Sequence, residues 1–340
     1  MGIEYEFDSR PDNGHTLTVA DGVEWLRMPL PFALRHINLW LLREGDRWAI
    51  ADTGVGNDET RKTWHAVFSG AMGGDPAARI IATHMHPDHV GCAGFLARHF
   101  DVDFWMTRDE YMLCRILVAD IDRDAPIEGV LFYKKAGFTD EQLANYKKAF
   151  GFFGKFVTPL PEAYLRLNDG DNLLIDGQRW EIITGGGHSP EHACLYDCDR
   201  NVLIAGDQLL PTISSNVSVW PRDPLANPLQ DWLESLRQLR SRVPEDVLVL
   251  PSHGKPFRGA YARIDALIKE HMEKLDTLKE WCKEARRAVD VFPALYKRRI
   301  DDKNRIMAVG EAISHLHYLV QTGDLETQDS DEAIWYRTRR

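Results

Sequence analysis

The chain has few cysteines, no long apolar run and a shortage of positive charge, and each lack removes a class of function. Its five cysteines, Cys92, Cys114, Cys194, Cys198 and Cys282, are odd in number and none forms a Cys-x-x-Cys pair. That excludes a disulfide framework and a Cys-x-x-Cys zinc or redox site, so they read as reduced, mostly buried thiols. No run is long enough to span a bilayer, and the first residues carry Asp8, Arg10 and Asp12 without an apolar core. Neither a membrane segment nor a signal peptide is expected, and a cytoplasmic location is. Lys and Arg number 41 against 52 Asp and Glu, a net charge of -11. Such a surface repels polyanions, which argues against nucleic acid and anionic membranes as partners. What remains is a globular composition, 44% hydrophobic and 27% charged, long enough at 340 residues for a large domain or for a large and a small one.

The densest chemistry lies in Thr83-His84-Met85-His86-Pro87-Asp88-His89, directly after the apolar run 78–82. The pattern predicts a strand, a loop and then a helix. In extended backbone His84 and His86 point to one side, while the turn at Pro87 swings Asp88 and His89 towards a second centre. Three imidazoles and a carboxylate this close together are expensive to bury without a metal. One cluster can therefore serve two ions.

Ahead of it, segments 37–42 and 48–51 alternate as a hairpin about Glu44-Gly45-Asp46 and end in Asp52-Thr53-Gly54. Asp52 is either a group holding a ligand imidazole or a turn former. A helix is predicted over 58–68, another over 90–100 and a strand over 101–106. Thr107-x-x-Glu110 and Thr139-x-x-Gln142 read as capping boxes that open helices to about Ala119 and Ala149. The segment 107–159 is thus a helical insertion rich in Phe and Tyr, either packed as core or partly lining an apolar substrate pocket.

Strands resume at Leu165, and two of their end loops carry chemistry. Gly185-Gly186-Gly187-His188 places an imidazole behind glycines that let backbone approach a metal, and Gly206-Asp207 offers a carboxylate able to bridge two ions. His192 reads as structural. Asn227-Pro228 caps a helix to about Arg240, and the strand 246–250 ends in Pro251-Ser252-His253-Gly254, another candidate ligand. From about Arg258 the pattern is helical alone, with basic residues at Lys283, Arg286, Arg287, Lys297, Arg298, Arg299, Lys303 and Arg305.

Taken together, His84, His86 and His188 suit one metal, and Asp88, His89 and His253 suit another, with Asp207 between them. In this the chain resembles the metallo-β-lactamase-fold hydrolases. His84-x-His86-x-Asp88-His89, Gly187-His188-Ser189-Pro190-x-His192, Gly206-Asp207 and Ser252-His253-Gly254 match that superfamily's motifs in order over about residues 16–257. The resemblance implies an α/β fold, a four-layer αββα sandwich over 1–257 with the insertion at about 107–159. It implies a helical, winged-helix-type C-terminal subdomain over 258–340.

The resemblance further implies a binuclear hydrolase of the seven ligands His84, His86, Asp88, His89, His188, Asp207 and His253. The imidazole-rich set favours two Zn2+ ions, with Fe or Mn also accommodated. Closely spaced ions make hydroxide available at neutral pH to attack a carbonyl, and Asp88 is the expected catalytic carboxylate that orients it and receives its proton. A small acyl thioester, ester or lactone is the expected substrate, as in the hydroxyacylglutathione hydrolases, from which the insertion and tail depart. The aromatic insertion would take the acyl group, and Lys297-Arg298-Arg299 an anionic carrier. Alternative readings are an endoribonuclease of this fold, a mononuclear iron oxygenase and a non-catalytic ligand-binding regulator; a homodimer is compatible with each.

Overall fold

The structure, a computed structural model, describes residues 2–32 and 34–339. Its centre is two mixed sheets stacked face to face. The first runs in the order Thr16–Ala20, Val23–Pro29, His36–Glu44, Arg47–Ala51, Ala77–Ile81, Phe104–Thr107, Leu165–Leu167. Its early strands pair antiparallel through tight turns, whereas Arg47–Ala51 and those after it pair parallel, because the helices Asp58–Ser69 and Ala93–Phe100 supply the crossovers. The second sheet runs Glu4–Tyr5, Phe257–Arg258, Leu248–Pro251, Val202–Gly206, His192–Asp197, Gln178–Gly185, Asn172–Ile175.

Side-chain alternation creates the layers. Along His36–Glu44, Trp40 and Leu42 face the other sheet while Ile37, Leu39 and Leu41 face helices on the outside. Along Val202–Gly206, Val202 and Ile204 face inward, and Leu203 and Ala205 outward. The space between the sheets is filled by Val23, Trp25, Trp40, Trp180, Ile182 and their neighbours, with the Trp25 and Trp40 rings stacked at 6.3 Å. Outside the first sheet, Trp64 and Leu96 bring in the helices Asp58–Ser69 and Ala93–Phe100. Outside the second, Trp232, Ile264 and Leu316 bring in Pro228–Arg242, Ala260–Trp281 and Arg305–Gln321. The order of layers is αββα. No helix among the described residues is long and apolar enough to cross a membrane.

The insertion is helical as expected, with helices Arg108–Val118, Ile127–Lys135 and Asp140–Ala149 followed by a short 3-10 turn Phe152–Phe156. Of its aromatics, Tyr133, Phe138 and Tyr146 are buried with the helices outside the second sheet and Tyr111 with those outside the first. The cysteines are all free, and all but Cys198 are buried.

Three sequence expectations change. The helix over 90–100 is two, Pro87–Val90 and Ala93–Phe100, separated by Gly91, where a Cβ would lie 2.4 Å from Gly56 N, and by Cys92, whose ψ of 4 leaves the helical range. The region after Arg258 is not helical alone: Phe257–Arg258 straddles the expected boundary as a strand, and Leu325–Asp329 pairs with Ile334–Thr338 as a hairpin. That hairpin is mostly exposed, so it lacks the apolar alternation that announces a strand. The third is the capping box at Thr107, which does not form.

Candidate metal centre

The strands Arg47–Ala51, Ala77–Ile81, Gln178–Gly185, Val202–Gly206 and Leu248–Pro251 deliver Asp52, the 84–89 segment, His188, Asp207 and His253 to one end of the sandwich. Nε2 of His84 lies 2.8 Å from Nδ1 of His86, which lies 3.0 Å from Nε2 of His188. Nε2 of His253 is 3.4 Å from Oδ2 of Asp88, and Nε2 of His89 is 3.9 Å from the same oxygen. Asp207 stands between the two groups. Its Oδ1 is 3.6 Å from both His89 Nε2 and His253 Nε2, and its Oδ2 is 3.4 Å from His188 Nε2. Donor atoms of His84, His86 and His188, of His84, His89 and Asp207, and of Asp88, His89 and His253 each lie within 4.8 Å of one another.

These residues fit a cation better than they fit each other. His89 Nε2 and Asp207 Oδ1 are buried without a hydrogen-bond partner, although unpaired buried polar atoms are costly. Nδ1 of His86 faces two ring nitrogens at hydrogen-bond distance while having at most one proton to offer. Inward-facing nitrogen and carboxylate oxygens at this spacing are the donor set of divalent transition metals.

The outward nitrogens of four of the imidazoles are anchored, which frees the inward ones. Nδ1 of His89 bonds Oδ2 of Asp52 at 2.8 Å, Nδ1 of His188 the Asn216 carbonyl at 2.8 Å, and Nδ1 of His253 the His36 carbonyl at 3.1 Å. Nδ1 of His84 lies 3.1 Å from the Thr83 hydroxyl. Such contacts set tautomer and ring orientation. Asp52 resolves the choice left by the sequence: its φ of 62 makes a left-handed turn, and its buried carboxylate also accepts from Thr83 N–H at 2.8 Å. It does both jobs.

Charge is divided across the site. Burial, then the neighbouring His89, holds the His84 pKa well below the usual imidazole range, and burial and His188 bring His86 to about 3. Burial pushes His89 the same way, but the carboxylates of Asp52, Asp207 and Asp88 outweigh it and raise His89 well above that range. Burial would raise the Asp88 carboxyl; His89 and His253 bring it down to about 2. Asp207 is held well below the carboxylate range, His253 and His89 overcoming its burial. At neutral pH the carboxylates are therefore anionic, and His84 and His86 keep neutral lone pairs.

Several supports were read differently in the sequence. Thr107 makes no capping bond; its hydroxyl donates to the Glu191 carbonyl at 2.7 Å. Glu110, expected to complete that box, is buried and accepts from the backbone N–H of Met85 and of Glu191, each at 2.9 Å. It ties the histidine loop to the loop after His188. Gly187, directly before His188, approaches a helix and not the metal position: with φ 101, its Cβ would lie 2.5 Å from Trp232 Cβ and 2.6 Å from the Pro228 carbonyl, while Gly185 packs against the Gln208 side chain. His192 is structural, its Nε2 accepting the Asp207 N–H at 3.1 Å. Asn38, unremarked in the sequence, donates from its side chain to the carbonyls of Pro251 at 2.7 Å and Gly254 at 2.9 Å and so brackets His253.

A family model described as the metallo-beta-lactamase superfamily matches residues 33–253, a span that contains all seven candidate ligands. The chain belongs to the metallo-beta-lactamase superfamily. Within that superfamily a second model, the metallo-beta-lactamase-like C-terminal domain, matches residues 275–339. A crystal structure of a beta-lactamase domain protein from Burkholderia ambifaria superposes with a TM-score of 0.90 at 38% identity, covering 99% of this chain and 98% of that one. Acyl-coenzyme A thioesterase MBLAC2 of Bos taurus is 25% identical over 56% of this chain and 64% of its own length. Hydroxyacylglutathione hydrolase GloC of Haemophilus influenzae is 24% identical over 52% of this chain and 68% of its own. The match to the bovine relative thus spans less than two thirds of that protein.

Proposed function

We propose that the chain is a metal-dependent hydrolase of acyl thioesters or esters, lactones included. His84, His86 and His188 would hold one divalent ion, Asp88, His89 and His253 a second, with Asp207 placed to contribute to both. Zinc is the ion this imidazole-rich set favours, with iron or manganese compatible. The observation that carries the reading is Asp207, buried with Oδ1 unpartnered and poised between the two histidine groups. Bound ions would supply Lewis acidity, polarising a carbonyl and making water acidic enough to ionise near neutral pH.

The chain's own residues do the rest. Asp88 is anionic and, with 18% of its side chain exposed, more open to entering water than Asp207 at 11%. It orients a water and takes its proton as general base. Asp52, Asn216 and His36 fix the imidazoles in advance, so little reorganisation accompanies reaction.

Two surface features support an acyl chain joined to an anionic carrier. The Phe32 ring lies 5.4 Å from Phe156, which lies 4.9 Å from Phe152. Phe32 precedes His36, whose carbonyl holds His253, and the Phe156 carbonyl accepts from Gly56 N–H beside the helix Pro87–Val90 that carries Asp88. With Phe32 43% and Phe152 54% exposed, these rings form an apolar cluster at the surface that would take the acyl group. Lys297, Arg298 and Arg299 are exposed, while Lys283, Arg286, Arg287 and Arg305 are taken up by carboxylates. The thioesterase and hydroxyacylglutathione hydrolase relatives support a thioester in particular. Residues 1–257 would form the hydrolytic unit and 258–340 its accessory part, and free thiols fit a reducing cytoplasm.

Metal-loaded protein assayed against acyl-coenzyme A, acyl-glutathione, lactone and RNA tests the reading. Thiol or acid release that is indifferent to salt is expected. RNA turnover falling steeply with salt would mean a nuclease, and no turnover of any ester or thioester would overturn the proposal.

A further inference from the structure

We infer that Glu311, on the C-terminal helix Arg305–Gln321, is a positioning residue for His188, acting through Asn216. The inference rests on the metal-binding role proposed for His188. It makes the C-terminal helices a working part of the site.

His188 is anchored differently from its counterparts. His89 and His253 are held from the first sheet, by Asp52 at the end of Arg47–Ala51 and by His36 at the start of His36–Glu44. His188 instead depends on the carbonyl of Asn216, in the segment 207–220, which contains no helix or strand. Something outside that segment must fix the carbonyl.

The side chain of Asn216 is held at both ends. Its Nδ2 donates to Oε2 of Glu311 at 3.1 Å, and its Oδ1 accepts from the Ser218 hydroxyl at 2.6 Å. One residue before Glu311, the Gly310 carbonyl accepts from Val219 N–H at 3.1 Å, and a Cβ at Gly310 would lie 2.7 Å from Ser218 Cβ. The segment therefore lies in backbone contact with the helix. Glu311 is in turn steadied by Lys274, whose Nζ is 3.8 Å from Oε1, on the neighbouring helix Ala260–Trp281.

A second tie ends at the same residue. Ser214 meets Nε2 of His271 at 3.1 Å, Nδ1 of His271 meets Nε2 of His315 at 3.1 Å, and Nδ1 of His315 donates to the Glu311 carbonyl at 2.8 Å. Between the two ties, the Ser215 hydroxyl donates to the Asp207 carbonyl at 2.5 Å. The stretch Ser214–Ser218 thus meets the C-terminal helices at Glu311, its side chain holding Asn216 and its carbonyl ending the histidine relay, while Arg263 on Ala260–Trp281 separately holds the Leu210 and Ile213 carbonyls.

Cobalt(II) titration of metal-free protein, followed by visible absorption, tests this without relying on turnover. Wild type is expected to take up two ions. Glu311→Ala is expected to bind one of them 10–100-fold more weakly, on the order of the effect of removing a ligand's supporting partner, while the other stays within about threefold. Glu311→Gln keeps an oxygen that accepts from Asn216 and is expected to restore both. If Glu311→Ala does not fold, Asn216→Ala breaks the same bond from the loop side and is expected to give the same selective loss. Two ions bound with wild-type affinity by both variants would overturn the inference, as would equal weakening of both ions. Wild type that binds no metal would instead overturn the proposed function, and this inference with it.

Discussion

The carboxylate of Asp52 accepts the Nδ1 proton of His89 across 2.8 Å, and neither side chain is open to solvent. In sequence they are 37 positions apart. Asp52→Asn keeps the size and tolerance of positive φ but loses the charge and one acceptor, where the wild-type carboxylate serves Thr83 N–H, the Thr83 hydroxyl and His89. Metal affinity measured by equilibrium dialysis is expected to fall roughly 10–100-fold, and metal-free stability in urea by about 1–3 kcal/mol.

Two sequence motifs that look alike should respond differently. Thr139 forms a capping box with Gln142, so Thr139→Ala is expected to cost about 1 kcal/mol. Glu110→Ala leaves the buried N–H groups of Met85 and Glu191 without their acceptor and is expected to cost about 2–4 kcal/mol. Urea unfolding of both variants checks the ranking, and equal costs would mean that Glu110 is no more than a cap.

The buried pair His271 and His315 should make the fold acid-sensitive. Burial is the main cause that lowers His315 to about 4 and, with His315 beside it, His271 to about 2. A histidine lowered on folding takes up its proton more readily when unfolded, so its neutral form stabilises the fold above pH 6.5 and that contribution is lost as pH falls towards 4. For His315 alone the loss is about 3 kcal/mol over that window. The stability gap between wild type and His315→Gln, measured by urea unfolding, is expected to narrow by about that amount between pH 7 and pH 4. A constant gap would show that His315 does not titrate differently in the two states.

On the proposed chemistry, Asp88→Ala removes the proton acceptor and is expected to lower kcat by at least about 100-fold. Arg298→Ala is expected chiefly to raise KM for an anionic acyl carrier by about 3–10-fold with kcat little changed, as removal of a binding contact does. Steady-state kinetics on an acyl-coenzyme A separates the two. Equal losses of kcat would contradict both roles.

What was legible in the sequence was local. The candidate ligands announced themselves because His84, His86, Asp88 and His89 are crowded into one strand-end segment and His188, Asp207 and His253 follow strands of clear apolar pattern. The sheets were legible for the same reason, since Trp40 and Leu42 alternate with Leu39 and Leu41. The supports were not. Glu110 and Asn38 act on backbone groups 25 to 216 residues away, and no spacing rule reaches that far. Asn216 contributes to His188 a carbonyl that every residue possesses, so its identity carries no signal for that contact. Gly187 before His188 gave a true sign of close approach, but only the fold shows that the neighbour is Trp232.

The proposed function requires that these loops cradle a pair of divalent ions on which turnover depends. Its most direct test is elemental analysis of protein purified without added metal, with thioester turnover followed through chelation and readdition. About two equivalents of divalent metal per chain are expected in loaded protein, with loss of activity as they are removed and recovery when zinc or the native ion is restored. Full turnover by protein stripped of metal would contradict it.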